Sequence, residues 1–374
     1  MTVWGRYRVR EKLGEGGMGS VLLAEDERGC PVVLKVPLHG SEEVAARMHD
    51  EARIGRQLRH PHIVRTLDFF MHDDTPVIVM AFIDGTSLRE LRDGVGPLPP
   101  AMVARVGEQI SDALSTLHHL KDNDGRSLEI LHRDVTPGNI LVDRAGNACL
   151  IDLGIARSVL SESTKTAVGI LRGTFRYLSP DLFSGKSYSW MTDLWALGVT
   201  LFEAAVGRKA VEGTERQVFD SIMHGKLLQL RPGEVLHPML RYLFDGLLTA
   251  DPAARRFRDP EDVLHAFRVI RGRLGNGEGD ARAVMAQLAP RLAVGYENEA
   301  TELVVHNDDL SHTSSTQLPP QPLSLSGFGE PTLSEQPRPM LSGSVSSLFA
   351  DDLESQPTVQ MPMLRSLTRP PDDE

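Results

Sequence analysis

Cysteine is scarce: the chain has two in 374 residues, Cys30 and Cys149, with no C-x-x-C pair. That excludes a disulfide framework and a cysteine-based zinc knuckle. Long apolar runs are missing as well. The longest near-apolar stretch, Leu194 to Val206, contains Glu203 and is too short to cross a bilayer. The opening residues MTVWGRYRVREK carry no apolar leader segment, so the expected location is the cytoplasm, with no membrane span. A basic excess is also lacking. The net charge is −11, and it is unevenly spread. From Gly275 onward there are 5 Arg, no Lys and 15 Asp plus Glu, whereas residues 1 to 274 hold 35 basic and 36 acidic residues. With that balance no broad footprint for nucleic acid or anionic lipid exists.

What is present is an ordinary core-forming composition, 41% hydrophobic and 24% charged, arranged in two styles. Residues 7 to 37 carry short β-like runs, YRVREKL, SVLLAED and PVVLKV, broken by the cluster GEGGMG and the turn ERGC. Ser41 to Leu58 then has Val44, Met48 and Ala52 at helical spacing, an acidic first turn and Ser41 as N-cap. Strand-like runs follow at Thr66 to Phe70 and Pro76 to Phe82. Past Ile83-Asp84-Gly85 the segments become long and helical: Pro100 to Leu120, Thr192 to Val206, Glu215 to His224, Pro238 to Thr249 and Pro260 to Arg271. Strands followed by helices predict an α+β fold with a small β-rich lobe and a larger helical lobe. Residues 275 to 374 hold 11 of the 24 prolines, many serines and the acidic excess, and are expected to be a disordered tail. Within it, Ala281 to Val294 has the composition of a short helix interrupted at Pro290.

Gly14-Glu15-Gly16-Gly17-Met18-Gly19 matches G-x-G-x-x-G, a pattern shared by unrelated nucleotide folds. In dinucleotide folds the glycines open a helix. Here Ser20 to Ala24 continues as a strand, so the loop tips a hairpin whose backbone N–H groups can approach phosphate oxygens; a plain glycine-rich turn is the alternative. Lys35 lies inside the apolar strand Val32 to Val36, where an unpaired ammonium is costly. Glu51 on the next helix and nucleotide phosphates are its candidate partners. An ammonium reaching out to solvent is the competing account.

Downstream, His132-Arg133-Asp134-Val135-Thr136-Pro137-Gly138-Asn139 precedes Ile140-Leu141-Val142 and then Asp152-Leu153-Gly154. Together with the glycine loop and Lys35, this series resembles the protein kinase superfamily, in particular the eukaryotic-like (Hanks-type) serine/threonine kinases of bacteria. Gly173 to Asp181, GTFRYLSPD, resembles the segment that closes the activation loop. Asp193 resembles the aspartate beneath the catalytic loop, and Arg255 the arginine that pairs with an acidic residue at position 181.

The resemblance implies a bilobal catalytic domain over 5–272, with a small lobe over about 5–82 and a large lobe over about 86–272. It implies ATP as co-substrate and Mg²⁺, with Mn²⁺ as an alternative. By carry-over, Gly14, Gly16 and Gly19 cover the phosphates and Lys35 holds them while paired with Glu51. Asp134 is the base, and Asn139 and Asp152 hold the metal. Leu13, Val21, Val33 and Leu141 enclose the adenine, Met80 is the gatekeeper, and the backbone of Ala81 to Ile83 meets the base edge.

Protein substrates follow from the same resemblance, with autophosphorylation at Thr164 or Thr166 read by Arg133. Phosphothreonine-binding partners would recognise Thr301, Thr316, Thr332 or Thr358. Thr136 stands where a lysine is usual, and Asp181 shortens the reach to Arg255 by one methylene, so a weakened or shifted ion pair is expected. Residues 121–131 are longer than the family's usual connection. A pseudokinase-type scaffold and a small-molecule phosphotransferase are the competing functions.

Overall fold

The computed structural model describes residues 3–16, 19–38, 41–121, 124–128, 130–153, 175–257 and 259–297, with side chains up to 288. The β-like runs form one antiparallel sheet: β1 (Val3–Trp4), β2 (Tyr7–Gly16), β3 (Gly19–Glu25), β4 (Pro31–Val36), β5 (Thr66–His72) and β6 (Thr75–Ala81), in the order β1-β2-β3-β4-β6-β5. Strand alternation sorts its two faces. Leu22, Ala24, Val32, Leu34, Val36, Val77 and Val79 form one buried cluster with Tyr7. The register Val21↔Lys35, Val33↔Met80 and Lys35↔Ile78 puts the candidate nucleotide-facing residues on the other face.

Helix α1 (Glu42–Gln57) starts where the sequence indicates, with the Ser41 side chain accepting from Val44 N. It packs Met48 and Ala52 against Val64, Ile78 and Met80. β7 (Gly85–Ser87), β8 (Ile140–Asp143) and β9 (Ala148–Leu150) make a second small sheet. Around it lie α2 (Leu88–Val95), α3 (Pro100–His118), α4 (Pro180–Phe183), α5 (Trp190–Val206), α6 (Glu215–Met223), α7 (Pro238–Leu247) and α8 (Pro260–Leu274). Helix α5 is the centre of this lobe: Thr192 to Val206 are all buried, as befits a helix apolar on every side. Helices α3 and α8 pack against each other so closely that a Cβ on Gly107 would overlap the Phe267 ring.

The expectation of disorder from Gly275 onward fails for its first part. Helix α9 (Glu278–Glu297) follows α8 and continues through Pro290 without the expected break. Ala281, Val284, Met285 and Leu288 are buried against α2 and α3. Their i, i+3, i+4, i+7 spacing is the amphipathic signature, within the stretch whose composition marked a short helix. Burial stabilises by roughly 1.5–3 kcal/mol for each of the larger three side chains, as an upper bound. Arg105 fastens the corner before α9, donating to Gly146 O at 3.0 Å, Asn147 Oδ1 at 2.8 Å and Asn276 O at 3.4 Å. The rest of the expected tail, with its threonines, lies outside the described residues, as do Thr164 and Thr166. β1 and α2 are elements the sequence reading did not anticipate.

Candidate active site

The β2–β3 hairpin carries the glycine cluster, with Gly14 opposite Val21 and Gly16 opposite Gly19. Gly14 faces open space, whereas Gly19 has φ +152° and a Cβ there would run into the Val36 carbonyl; no other residue fits. Leu13 is exposed and Val21 and Val33 are half-buried at the start of the cleft. Met80 is buried, Ala81 N donates to Arg65 O at 2.9 Å, and Ala81 to Ile83 connect the two lobes. From the large lobe, Leu141 reaches the cleft on β8, held between Ser87 and Cys149. Burial pushes the Cys149 thiol up to about 12, with the Asp143 charge adding to it, so it acts as an apolar side chain.

Lys35 Nζ lies 2.8 Å from Glu51 Oε1 and 3.0 Å from Asp152 Oδ1. Burial alone would push its pKa down; the Asp152 and Glu51 charges and hydrogen bonds reverse this and raise it above the ordinary lysine value. The ammonium is therefore permanently charged, which is what a phosphate-gripping cation requires.

The position of α1 that brings Glu51 to Lys35 depends on a residue the sequence reading passed over. Gly55, one turn on from Glu51, abuts β5 so tightly that a Cβ would overlap Thr66 Oγ1, lie 3.0 Å from Thr66 Cβ and touch Leu153 Cδ1 at 3.8 Å. Gly55→Ala is expected to push α1 away from β5, stretch the Lys35–Glu51 pair and lower phosphate transfer by about tenfold, the cost of a small misplacement at a reacting centre. Adding Thr66→Ala removes the nearest obstructing atom and should restore part of the rate. Steady-state kinetics on the single and double variants check this.

Below the cleft, buried Asp193 on α5 organises the catalytic loop. Its carboxylate accepts from His132 N at 2.8 Å, Arg133 N at 2.7 Å and His118 Nε2 at 2.9 Å. Burial would raise its pKa, but the His118 hydrogen bond and charge lead a set of interactions that bring it below the ordinary value. Burial also lowers the pKa of His132, so the imidazole is neutral, with Nδ1 facing Asp134 N at 3.4 Å and Nε2 facing Ile151 O at 3.2 Å.

The next residues adopt left-handed backbone conformations at two non-glycine positions, Arg133 (φ 63°) and Asp152 (φ 58°), a cost typical of places where side-chain direction matters more than backbone ease. Asn139 Nδ2 donates to Asp134 O and to Asp134 Oδ2, each at 2.9 Å. This fixes the carboxylate and leaves the Asn139 amide oxygen as a hard acceptor.

Among the described residues no group of three His, Cys, Asp or Glu side chains is arranged to hold a metal by itself. One amide oxygen and one carboxylate, Asn139 and Asp152, nonetheless fit Mg²⁺, which usually takes its remaining ligands from water and substrate phosphates.

Beside Asp134 lies a small recess lined by Arg133, Tyr177, Leu178, Leu182 and Tyr188, with Arg133 Cζ 5.2 Å from the Tyr188 ring centroid. Its wall is anchored by two buried ion pairs. Asp181 Oδ2 meets Arg255 Nη1 at 2.6 Å and Asp181 Oδ1 meets Lys186 Nζ at 3.0 Å; the shorter side chain thus keeps a close pair and gains a second cation, where a weaker contact was expected. Glu203 accepts from Arg92 Nη1, from Tyr177 OH at 2.9 Å and from Ala210 N at 2.9 Å. Only the oddity of a glutamate within an apolar run signalled this second pair beforehand.

The model of the protein kinase domain matches residues 7–264, more than half of the chain and all of the site just described. The chain belongs to the protein kinase family. Similar kinases include serine/threonine-protein kinase PrkC of Bacillus subtilis, 36% identical over 213 residues, which are 56% of this chain and 32% of that protein. PknD of Mycobacterium tuberculosis is 35% identical over 271 residues, 70% of this chain and 39% of its own length. PknA of Corynebacterium glutamicum is 30% identical over 292 residues, 75% and 60% respectively. The matched part of this kinase is thus less than two thirds of each relative.

Two departures from the kinase pattern find their place. Leu153, in the position of the usual phenylalanine, is buried with Ile54, Leu58, Ile63, Ala113 and Leu117. In the long connection Lys121 bridges Ser127 and Leu128 N donates to Leu120 O at 2.8 Å; Leu120 and Ile130 pack against the Leu153 cluster. No helix among the described residues is long and apolar enough to cross a membrane.

Proposed function

We propose that this kinase transfers the γ-phosphate of ATP to serine and threonine hydroxyls of proteins, itself included, in bacterial signalling. The observation that carries this reading is Lys35 between Glu51 and Asp152, together with an Asp134 carboxylate held by Asn139. Lys35 grips the α- and β-phosphates, the glycine hairpin covers them, and Leu13, Val21, Val33 and Leu141 enclose the adenine beside the Ala81–Ile83 backbone. Asp134 orients the substrate hydroxyl and accepts its proton as the oxygen attacks in line. Mg²⁺, or Mn²⁺ in its place, held by Asn139 and Asp152, supplies charge neutralisation at the phosphates.

Thr136 is buried in the catalytic loop and offers no cation to the γ-phosphate, so turnover is slow. A need for ATP is met in the cytoplasm, the location this reading assigns. Phosphothreonine-binding proteins are the proposed readers of the modified tail. The retained Lys35, Asp134, Asn139 and Asp152 favour catalysis over a scaffold role. The test is transfer of γ-labelled phosphate to a generic protein substrate, with phosphoamino-acid analysis of the product. Label on serine and threonine that disappears with a metal chelator is expected. Label confined to tyrosine, or none, refutes the proposal.

A further inference from the structure

Helix α2 places one cation against the catalytic loop that the transfer mechanism does not use. Arg89 N donates to Pro137 O at 3.0 Å, so the first turn of α2 is fixed to the loop two residues before Asn139. The Arg89 guanidinium then lies across Gly138: a Cβ built there would fall 2.9 Å from Arg89 Cζ, and the missing side chain is what admits the guanidinium. Gly138 adjoins Asn139, whose amide holds the Asp134 carboxylate at 2.9 Å.

Among the described residues the guanidinium is in no close pair, although its charge bears on the neighbouring Glu90 carboxylate. Arg89 is exposed and makes no ion pair or side-chain hydrogen bond with another described residue. The adjacent Glu90 spends its carboxylate on Thr86 Oγ1 at 2.7 Å, Ser87 N at 2.9 Å and Ser87 Oγ at 2.8 Å. An exposed guanidinium with a fixed base, set against the glycine that precedes Asn139, is placed to meet a polypeptide substrate that runs along the catalytic loop.

We propose that Arg89 is a specificity-determining residue that selects protein substrates carrying an aspartate or glutamate close to the acceptor serine or threonine. The proposal rests on the transfer reaction above and names the substrate class for it. The guanidinium suits a carboxylate because its planar fork pairs two N–H donors with two oxygens. The chain's own sequence offers such acceptors: Glu299-Ala300-Thr301 and Glu330-Pro331-Thr332 each put a glutamate two residues before a threonine.

The test uses the full chain and two peptides, residues 296–306 (YENEATELVVH) and the same peptide with Glu297, Glu299 and Glu302 replaced by glutamine. Wild type is expected to favour the acidic peptide in kcat/KM by about threefold to fivefold, the scale of an exposed charge pair, and less in high salt. Arg89→Ala should lose that margin on the acidic peptide alone, and Arg89→Glu should reverse it. KM for ATP should stay constant in all three. Equal losses on both peptides, an unchanged preference in Arg89→Glu, or a raised KM for ATP would overturn the assignment. If wild type phosphorylates neither peptide while labelling a generic protein, the selection proposal fails alone; if it labels neither, the transfer reading fails with it.

Discussion

Asp152→Ala is expected to lower phosphate transfer by about 10³-fold or more, the scale reached when a principal charge at a phosphoryl-transfer site is lost, while the chain stays folded. Removing the carboxylate takes away one of the two side chains proposed to hold the metal and one of the two anions on Lys35. The ammonium is not orphaned, because Glu51 remains 2.8 Å away. The loss is therefore chemical, and this separates the variant from Lys35→Ala, which would strand the buried Glu51 carboxylate and confound catalysis with stability. Single-turnover transfer and a thermal melt on the same sample make the comparison. A folded Asp152→Ala chain with undiminished transfer would remove Asp152 from the metal site.

The second large effect concerns stability. Glu203 is fully buried and Arg92 is 2% exposed, so Glu203→Leu leaves a desolvated guanidinium whose remaining ion-pair partner is the exposed Asp93, 2.7 Å from Arg92 Nε. Breaking such a pair from one side costs about 3–5 kcal/mol, and the Tyr177 hydroxyl and Ala210 N–H lose their acceptor as well. Burial, followed by the Glu203 charge and hydrogen bond, pushes the Tyr177 hydroxyl up, so it stays protonated and donates to Glu203. Urea denaturation should show a midpoint shift of that size. The double variant Arg92→Leu/Glu203→Leu should recover most of it, because two apolar side chains leave no charge unpaired. A single variant as stable as wild type would mean that water reaches Arg92.

Much of this was legible in the sequence because the kinase motifs are short and ordered. The glycine hairpin, Lys35, the Asp134–Asn139 loop and Asp152 each declare themselves within a few residues, and the structure brings Glu51 to Lys35 as the resemblance implied, while the contact of Lys35 with Asp152 was not anticipated. The residues that were missed act through partners distant in the chain. Nothing near Gly55 announces that Thr66 lies against it, and nothing near Gly138 announces Arg89 from α2. His118 reads as one of two adjacent histidines until α5 brings Asp193 to it. Helix α9 was half legible: the composition of Ala281 to Val294 marked a short helix, but the average over a hundred residues hid the stripe of four by which it packs.

That helix bears on where the catalytic unit stops. The part of the chain that matches the family model ends at residue 264, inside α8, yet α9 supplies the cover for α2 and α3. A fragment trimmed at the family boundary would keep every catalytic group and lose its lid of apolar side chains, laying bare a greasy flank beside the very helix that carries Arg89. A cut that keeps this flank covered must spare α9.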